Sequence, residues 1–419
     1  MIPVEHAPER TLVPAAPSAL EKVIASLAES LPPGTAFEFQ IPDRPLMRVG
    51  SGEVTFRVVA RNERAVSALK SMDEMTIGEA YLSGDLDIDG DMVAAMDLRN
   101  SLHDRRVLAY LWSTYGQPIF YGQTKRDRRW IHEHYDTDPE FYLTFLDERF
   151  RCYSHAYFEN DDEELIPGME RKLATAFRSC ELQPGWRVLD IGAGWGAFAQ
   201  YAGERGVHVT SLTISEQSEK FCKELIGRNG LPCEVVREHF LEYKSQEPYD
   251  AIINLGVTEH LPDYPRTLKQ YQRLLKPGGR VYADACASRT KFPFSSFVLK
   301  YVWPGNTTPL HLPSYLDAVC ESPFEICMIQ NDRHSYLLTA KKWAEKLDRN
   351  RDAVVARWGE MLYRRFRLYL WGCVHCLSTD SLTAFRWLMQ LPAGTTERTT
   401  FARQTPEGIV RTVRQALRF

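Results

Sequence analysis

The chain has 419 residues, 44% of them hydrophobic and 25% charged, proportions that exclude disorder, collagen and a disulfide mini-scaffold and leave room for two or three domains. Its 51 basic and 55 acidic side chains give a net charge of −4, no overall field for a polyanion, so nucleic acid is not an expected partner. No run approaches the roughly 18 apolar residues of a spanning helix, and the start MIPVEHAPER lacks the two halves of a secretory signal, so a cytoplasmic protein is expected.

Residues 1–34 read as an N-terminal arm with an amphipathic helix around Leu20 to Leu31. FEFQI and VTFRVV alternate between Phe37 and Val59, which predicts hairpin strands, followed by a helix near Ala65 to Lys70. With TIGEAYLSGDLDIDGD they make a small α+β domain over residues 35–99. Asp85, Asp87, Asp89 and Gly90 superficially resemble a calcium loop, but the Glu that closes an EF-hand is missing, so a solvated turn is expected. Residues 100–130 read as a helical, basic connector that includes Lys125, Arg126, Arg128 and Arg129.

After Pro184-Gly185, apolar strands alternate with amphipathic helices, the pattern of an α/β, doubly wound Rossmann-like sheet. One helix is expected to end at Lys276-Pro277-Gly278-Gly279. The stretch KFPFSSFVLKYVW over residues 291–303 is too apolar for a plain surface loop. Residues 340–391 read as helical, closing a domain over residues 131–392, and residues 393–419 as a basic tail. Nine scattered cysteines suit a reducing compartment. Cys373-Val374-His375-Cys376 has no second pair of suitable spacing, so buried thiols rather than a metal are expected.

Asp190-Ile191-Gly192-Ala193-Gly194-Trp195-Gly196 places a strand end, a glycine turn and a helix start in succession, where the backbone approaches a ligand closely. A carboxylate two positions before the glycines repels a diphosphate and suits a cationic amino-acid ligand. That favours S-adenosylmethionine over a dinucleotide.

HYDTDPEFYLTFLDERFRCYSHAYFE, VLDIGAGWGAFA, LTISEQ, GVTEHL and LLKPGGR, in this order, resemble the cyclopropane-fatty-acid synthase and mycolic-acid methyltransferase family over residues 130–392. TIGEAYLSGDLDIDGD is similar to the N-terminal lipid-binding domain of its longer members. The resemblance implies methyl transfer from S-adenosylmethionine to a double bond in an unsaturated phospholipid acyl chain, with loss of a proton closing a cyclopropane ring. The N-terminal domain and the basic connector make a peripheral membrane surface an expected partner, while the sequence leaves open whether a homodimer forms. Alternatives within the same likeness are a methyl-branched lipid product or a small-molecule acceptor; a non-catalytic lipid carrier is the reading from another class.

Residue by residue, the resemblance implies cofactor contacts for Tyr153, Ser154, Gly192, Gly194, Gly196, Thr213, Ser215, Glu238 and His239; Ser218 stands at the family's Gln position with Gln217 beside it, and Gln217, Asp190, Trp195 and Tyr135 are further candidates. The family's base is a bicarbonate ion held by a Cys, a Glu-His pair, a strand His and a Tyr. Here Glu259, His260 and Tyr336 match, whereas His155 replaces the Cys and Asp284 the strand His, so the anion is expected to be absent. His155 is then either a side-chain base oriented by Asp284 or Glu259, or a buried imidazole that only hydrogen-bonds to Glu259. Aromatic faces of Tyr135, Tyr153, Tyr157, Trp303 and Tyr336 could stabilise a developing cation by about 0.5–2 kcal/mol each.

Overall fold

A computed structural model describes residues 19–29, 31–106, 138–291, 294–302 and 308–394, together with Val410 and Arg414. The basic connector beyond residue 106 lies outside the described residues, as do Tyr135, Phe292 and Trp303 and all but four residues of the tail. The chain divides into two units, Met1–Val107 and Leu108–Phe419.

In the first unit four strands form a sheet: β1 (Thr35–Gln40), β2 (Met47–Gly50), β3 (Glu53–Ala60) and β4 (Leu86–Gly90), in the order β2-β1-β3-β4. Alternation buries Phe37, Phe39, Phe56 and Val58. The helix Ala19–Glu29 adds Leu20, Ile24 and Leu27 to that core at helical spacing, each contributing about 1.5–3 kcal/mol by burial. The helix expected in the arm therefore packs as part of this unit.

The FEFQ and VTFRVV strands are not a hairpin. β1 pairs with β3 in parallel, and its antiparallel neighbour is β2. Gly52 explains the crossing: at φ +132, a Cβ there would strike the Gly34 carbonyl, so only glycine lets the chain pass under the start of β1 and emerge on its far side. The acidic turn is held by hydrogen bonds: Asn62 donates to Asp85 at 2.6 Å and Arg61 pairs with Asp87 at 2.7 Å.

The second unit carries β5 (Arg187–Ile191), β6 (His208–Thr213), β7 (Cys233–Arg237), β8 (Tyr249–Leu255), β9 (Leu275–Ala287), β10 (Glu325–Asn331) and β11 (Thr383–Gln390). Their order is β10-β11-β9-β8-β5-β6-β7. The strands from β5 to β9 pair in parallel, while β11 is antiparallel to both β9 and β10. Period-two geometry sends Val188, Ala251, Ile253 and Tyr282 into one core, and Leu189, Ile252, Val281 and Ala283 into another. Because β5 is flanked by β6 on one side and β8 on the other, the connections diverge at its carboxyl end and open a crevice there.

Two stretches differ from the helical expectation. The helix Tyr264–Leu274 stops before Lys276-Pro277-Gly278-Gly279, which begins β9. The C-terminal helices Arg333–Arg349, Arg351–Trp358 and Glu360–Ser378 end before Asp380, whose φ of +58 turns the chain, and TAFRWLMQ then runs as β11. Its aromatic residues suit either state. A vacant place between β9 and β10, with backbone partners on both sides, selects the strand. Arg364 and Arg367 of the same region pair with Glu360 and Asp348.

Candidate active site

A cavity of about 190 Å³ opens at the carboxyl ends of β5, β6, β7 and β8. Tyr153, Ser154, Asp190, Gly192, Gly194, Trp195, Thr213, Ser215, Glu238, His239 and His260 all line it. The three loop glycines have φ of +84, +50 and +76, but they serve different ends. A Cβ on Gly192 would strike Val257, and one on Gly196 would lie 2.5 Å from a Leu225 methyl, so both are required by protein packing. A Cβ on Gly194 would meet nothing closer than 3.9 Å, so this is the position where the backbone is bare toward the cavity.

Two hydroxyls brace the loop. Ser215 caps the helix Glu216–Asn229 by accepting from the Ser218 amide, and Ser218 Oγ donates to the Gly194 carbonyl at 2.7 Å. Gln217, expected to contact the cofactor, is exposed; Ser218, one position on, lines the cavity instead. On a helix one residue is about a 100° rotation, which decides the matter. Asp190 accepts from Ser211 Oγ at 2.8 Å, and burial pushes its carboxyl up to about 7. A cationic amino group beside it would favour the ionised form.

The segment before Tyr153 is fastened from inside. Buried Asp147 accepts from the amides of Phe150 and Cys152 at 2.5 and 3.0 Å. Arg151, at φ +57, reaches the Trp195 carbonyl at 3.3 Å and Gln200 at 2.6 Å while lining the cavity. The loop carrying Tyr153 and Ser154 is thereby tied to the glycine turn.

Behind Ser154 lies a buried polar network. Lys172, fully buried on the helix Leu165–Ser179, sits 2.9 Å from Asp284 Oδ2 and donates to Ser154 Oγ. Tyr157 Oη reaches the same Asp284 oxygen at 3.5 Å and the Tyr282 hydroxyl at 2.9 Å. Asp284 is thus engaged by Lys172 rather than turned toward His155. His155, 1% exposed, has Asp332 as its hydrogen-bond partner at 3.4 Å, neither Glu259 nor Asp284. Its ring stacks on Tyr336 with centroids 4.9 Å apart. Glu259 Oε1 accepts from the Cys286 amide at 2.6 Å, Oε2 is buried without a partner, and burial holds the carboxyl up at about 7. Desolvation likewise holds the Tyr336 phenol well above its ordinary value.

Of the expected catalytic residues, His260 lines the cavity, whereas His155, Glu259, Asp284 and Tyr336 lie outside its wall. Lys172, Asp332, Arg151 and Arg386 escaped sequence reasoning. Lys172 had one available signal, a lone cation at i+3 from the apolar Met169 and one before Leu173 on a helix whose inner face is otherwise apolar. The Asp332–His155 contact has no local signal, since 177 residues separate the partners.

The bare Gly194, the Asp190 carboxylate and the cavity suit S-adenosylmethionine. They do not suit a bicarbonate base: two of the family's anion ligands are replaced, His155 and Asp284 have partners within the protein, and the unpartnered oxygens Glu259 Oε2 and Asp284 Oδ1 are themselves carboxylate oxygens. Among the described residues no group of His, Cys, Asp and Glu could hold a metal, and none of the nine cysteines forms a disulfide.

Sheet order and crevice define a Rossmann-like methyltransferase. The mycolic acid cyclopropane synthetase family profile matches residues 122–387. The chain belongs to that family, whose members use S-adenosylmethionine, and it is an S-adenosylmethionine-dependent methyltransferase. It is 29% identical over 262 residues to cyclopropane mycolic acid synthase 3 of Mycobacterium tuberculosis, covering 58% of this chain and 90% of that protein. It is 25% identical over 390 residues to sphingolipid C9-methyltransferase B of Emericella nidulans, covering 88% of this chain and 75% of the relative. A mycolic acid cyclopropane synthase solved with SAH and CTAB superposes with a TM-score of 0.58 at 25% identity, over 63% of this chain and 98% of that one.

Proposed function

We propose that the chain transfers one carbon from S-adenosylmethionine to the double bond of an unsaturated, phospholipid-linked acyl chain, with His155 as the proton acceptor. The observation that carries the reading is the continuity from Ser154, in the cofactor wall, to a dry imidazole at the next residue. S-adenosylmethionine supplies a methyl group on a sulfonium when bound. Asp190, Arg151 and the glycine turn shape its seat, with Glu238 and His239 at the opposite wall. Tyr153, in the cavity wall, would offer a π-face to a developing cation, and His155, stacked on Tyr336, removes a proton without help from a dissolved anion.

A second reading, methyl branching of a sphingolipid chain, is supported by the sphingolipid methyltransferase, whose similarity extends over 88% of this chain. Mass spectrometry of lipids from a host expressing the protein tests both. Gain of one CH2 per unsaturated chain supports transfer to an alkene, and ozonolysis separates a ring, which resists cleavage, from a branched product that keeps its double bond. Unchanged lipids in a host rich in cis-unsaturated chains would refute the reading. His155→Ala is expected to lower the rate on the order of 10²–10⁴-fold, and bicarbonate-free buffer to leave the wild-type rate unchanged.

No described helix is long and apolar enough to cross a membrane. The proposed route to substrate is peripheral: Lys125, Arg126, Arg128 and Arg129 attract anionic bilayers by about 1 kcal/mol each, and the helix Ser296–Tyr301 borders an access path for one chain. Sedimentation with anionic vesicles that does not weaken as salt rises would exclude this electrostatic docking.

A further inference from the structure

We propose that Asp332 is the positioning residue that orients His155 and fixes its tautomer, an inference that rests on the reading of His155 as proton acceptor. One face of the helix Arg333–Arg349 and its leading residue grip the loop from His155 to Phe158 at four points. Asp332 Oδ2 lies 3.4 Å from His155 Nε2, and the Tyr336 ring stacks on the imidazole at an interplanar angle of 24°. Thr339 Oγ1 accepts from the Ala156 amide at 3.0 Å, and Ser335 Oγ accepts from the Phe158 amide at 3.2 Å. Positions 332, 335, 336 and 339 recur at helical spacing, so a single element sets both the imidazole and its backbone.

Chemistry follows from the donor inventory. An ionised carboxylate only accepts, so Asp332 selects the tautomer with hydrogen on Nε2 and leaves the lone pair on Nδ1. The contact with Asp332 is made through Nε2, so Nδ1 is the nitrogen left to act as base. Arg386, on β11, stands 3.6 Å from the same Asp332 oxygen and 4.1 Å over the Tyr157 ring. The groups facing His155 are therefore Asp332 and Tyr336 from the helix and Tyr157 from its own loop. Arg386 acts through Asp332, and Asp284, paired with Lys172, acts through Tyr157. In the step itself a C–H bond of the methylated chain breaks and its proton moves to Nδ1. The electron pair stays on carbon to close the ring or restore the double bond, and the imidazolium shares its Nε2 hydrogen with Asp332.

The test uses the full chain with 15N-labelled histidine, the His155 signal being assigned by its loss in His155→Gln. The wild type is expected to show a neutral ring protonated at Nε2. Asp332→Asn is expected to populate the tautomer with hydrogen on Nδ1 as well, because an amide can donate to Nε2 as readily as accept from it, and Asp332→Glu to restore the wild-type tautomer. The helix start survives because Tyr336 donates to the backbone carbonyl of residue 332 and no side-chain cap is lost. In cells, Asp332→Asn slows CH2 gain by on the order of 10²-fold, while affinity for S-adenosylhomocysteine stays within about two-fold of wild type, since Asp332 does not line the cavity. An unchanged tautomer in Asp332→Asn overturns the inference even if stability falls, and leaves the base reading standing when His155→Ala is inactive. Full activity of His155→Ala overturns the base reading itself, and this role with it.

Discussion

At the scale of single residues, the glycine turn separates packing from recognition. Gly192 and Gly196 are occupied on their Cβ side by Val257 and Leu225, so substitutions there act through the fold. Gly194 is open, so Gly194→Val places its branches in the cavity at the cost of a left-handed backbone, about 1–2 kcal/mol. We expect the variant to remain folded by circular dichroism and to lose S-adenosylmethionine binding by calorimetry. Undiminished affinity would remove this loop from the site.

At the scale of elements, the helix Leu165–Ser179 docks on the sheet through an ion pair as well as apolar contacts. Lys172 and Asp284 are both 0% exposed. Removing one partner leaves the other charge stranded in the interior, a loss of about 3–5 kcal/mol, whereas replacing both with apolar residues of similar volume is often near neutral. Lys172→Met is therefore expected to lower the urea midpoint sharply, and Lys172→Met with Asp284→Leu to restore most of it. If the double variant is no more stable than the single one, the pair is not the reason for the loss. The strand β11 shows the complementary effect of context: TAFRWLMQ reads as part of a helical region until β9 and β10 offer it hydrogen-bond partners on both edges.

At the scale of the whole molecule, two carboxyls are held up by burial, Asp190 in the cofactor wall and Glu259 behind it, both at about 7. A carboxyl whose pKa is raised on folding binds its proton more tightly in the native state. Its contribution is full below the unfolded value near 4 and is lost as pH rises through about 7. This contribution to the melting temperature of the ligand-free protein is expected to fall between about pH 4 and 7, and Asp190→Asn to flatten part of that fall. Calorimetry across the range reads it; an Asp190→Asn slope equal to wild type would show that Asp190 is not a source of it.

The doubly wound sheet was legible because continuous apolar strands, amphipathic helices and a glycine turn after Asp190 are local patterns, set by backbone geometry within about ten residues. Most of the expected cofactor residues line the cavity and were legible for the same reason, whereas Gly196 packs against Leu225, Gln217 is exposed one helical step from Ser218, and Tyr135 lies outside the described residues. The partners inside the site were not legible. Lys172 with Asp284, His155 with Asp332 and Arg386 with Asp332 join residues 54 to 177 positions apart. The parallel pairing of β1 with β3 and the strand state of residues 383–390 were decided in the same way, by which backbone edges folding brought together. Sequence alone determined the kind of sheet, the glycine turn and the cofactor it suits. Tertiary structure decided which carboxylate stands beside the imidazole, because a charge buried far along the chain finds its partner only when the elements carrying the two are packed together.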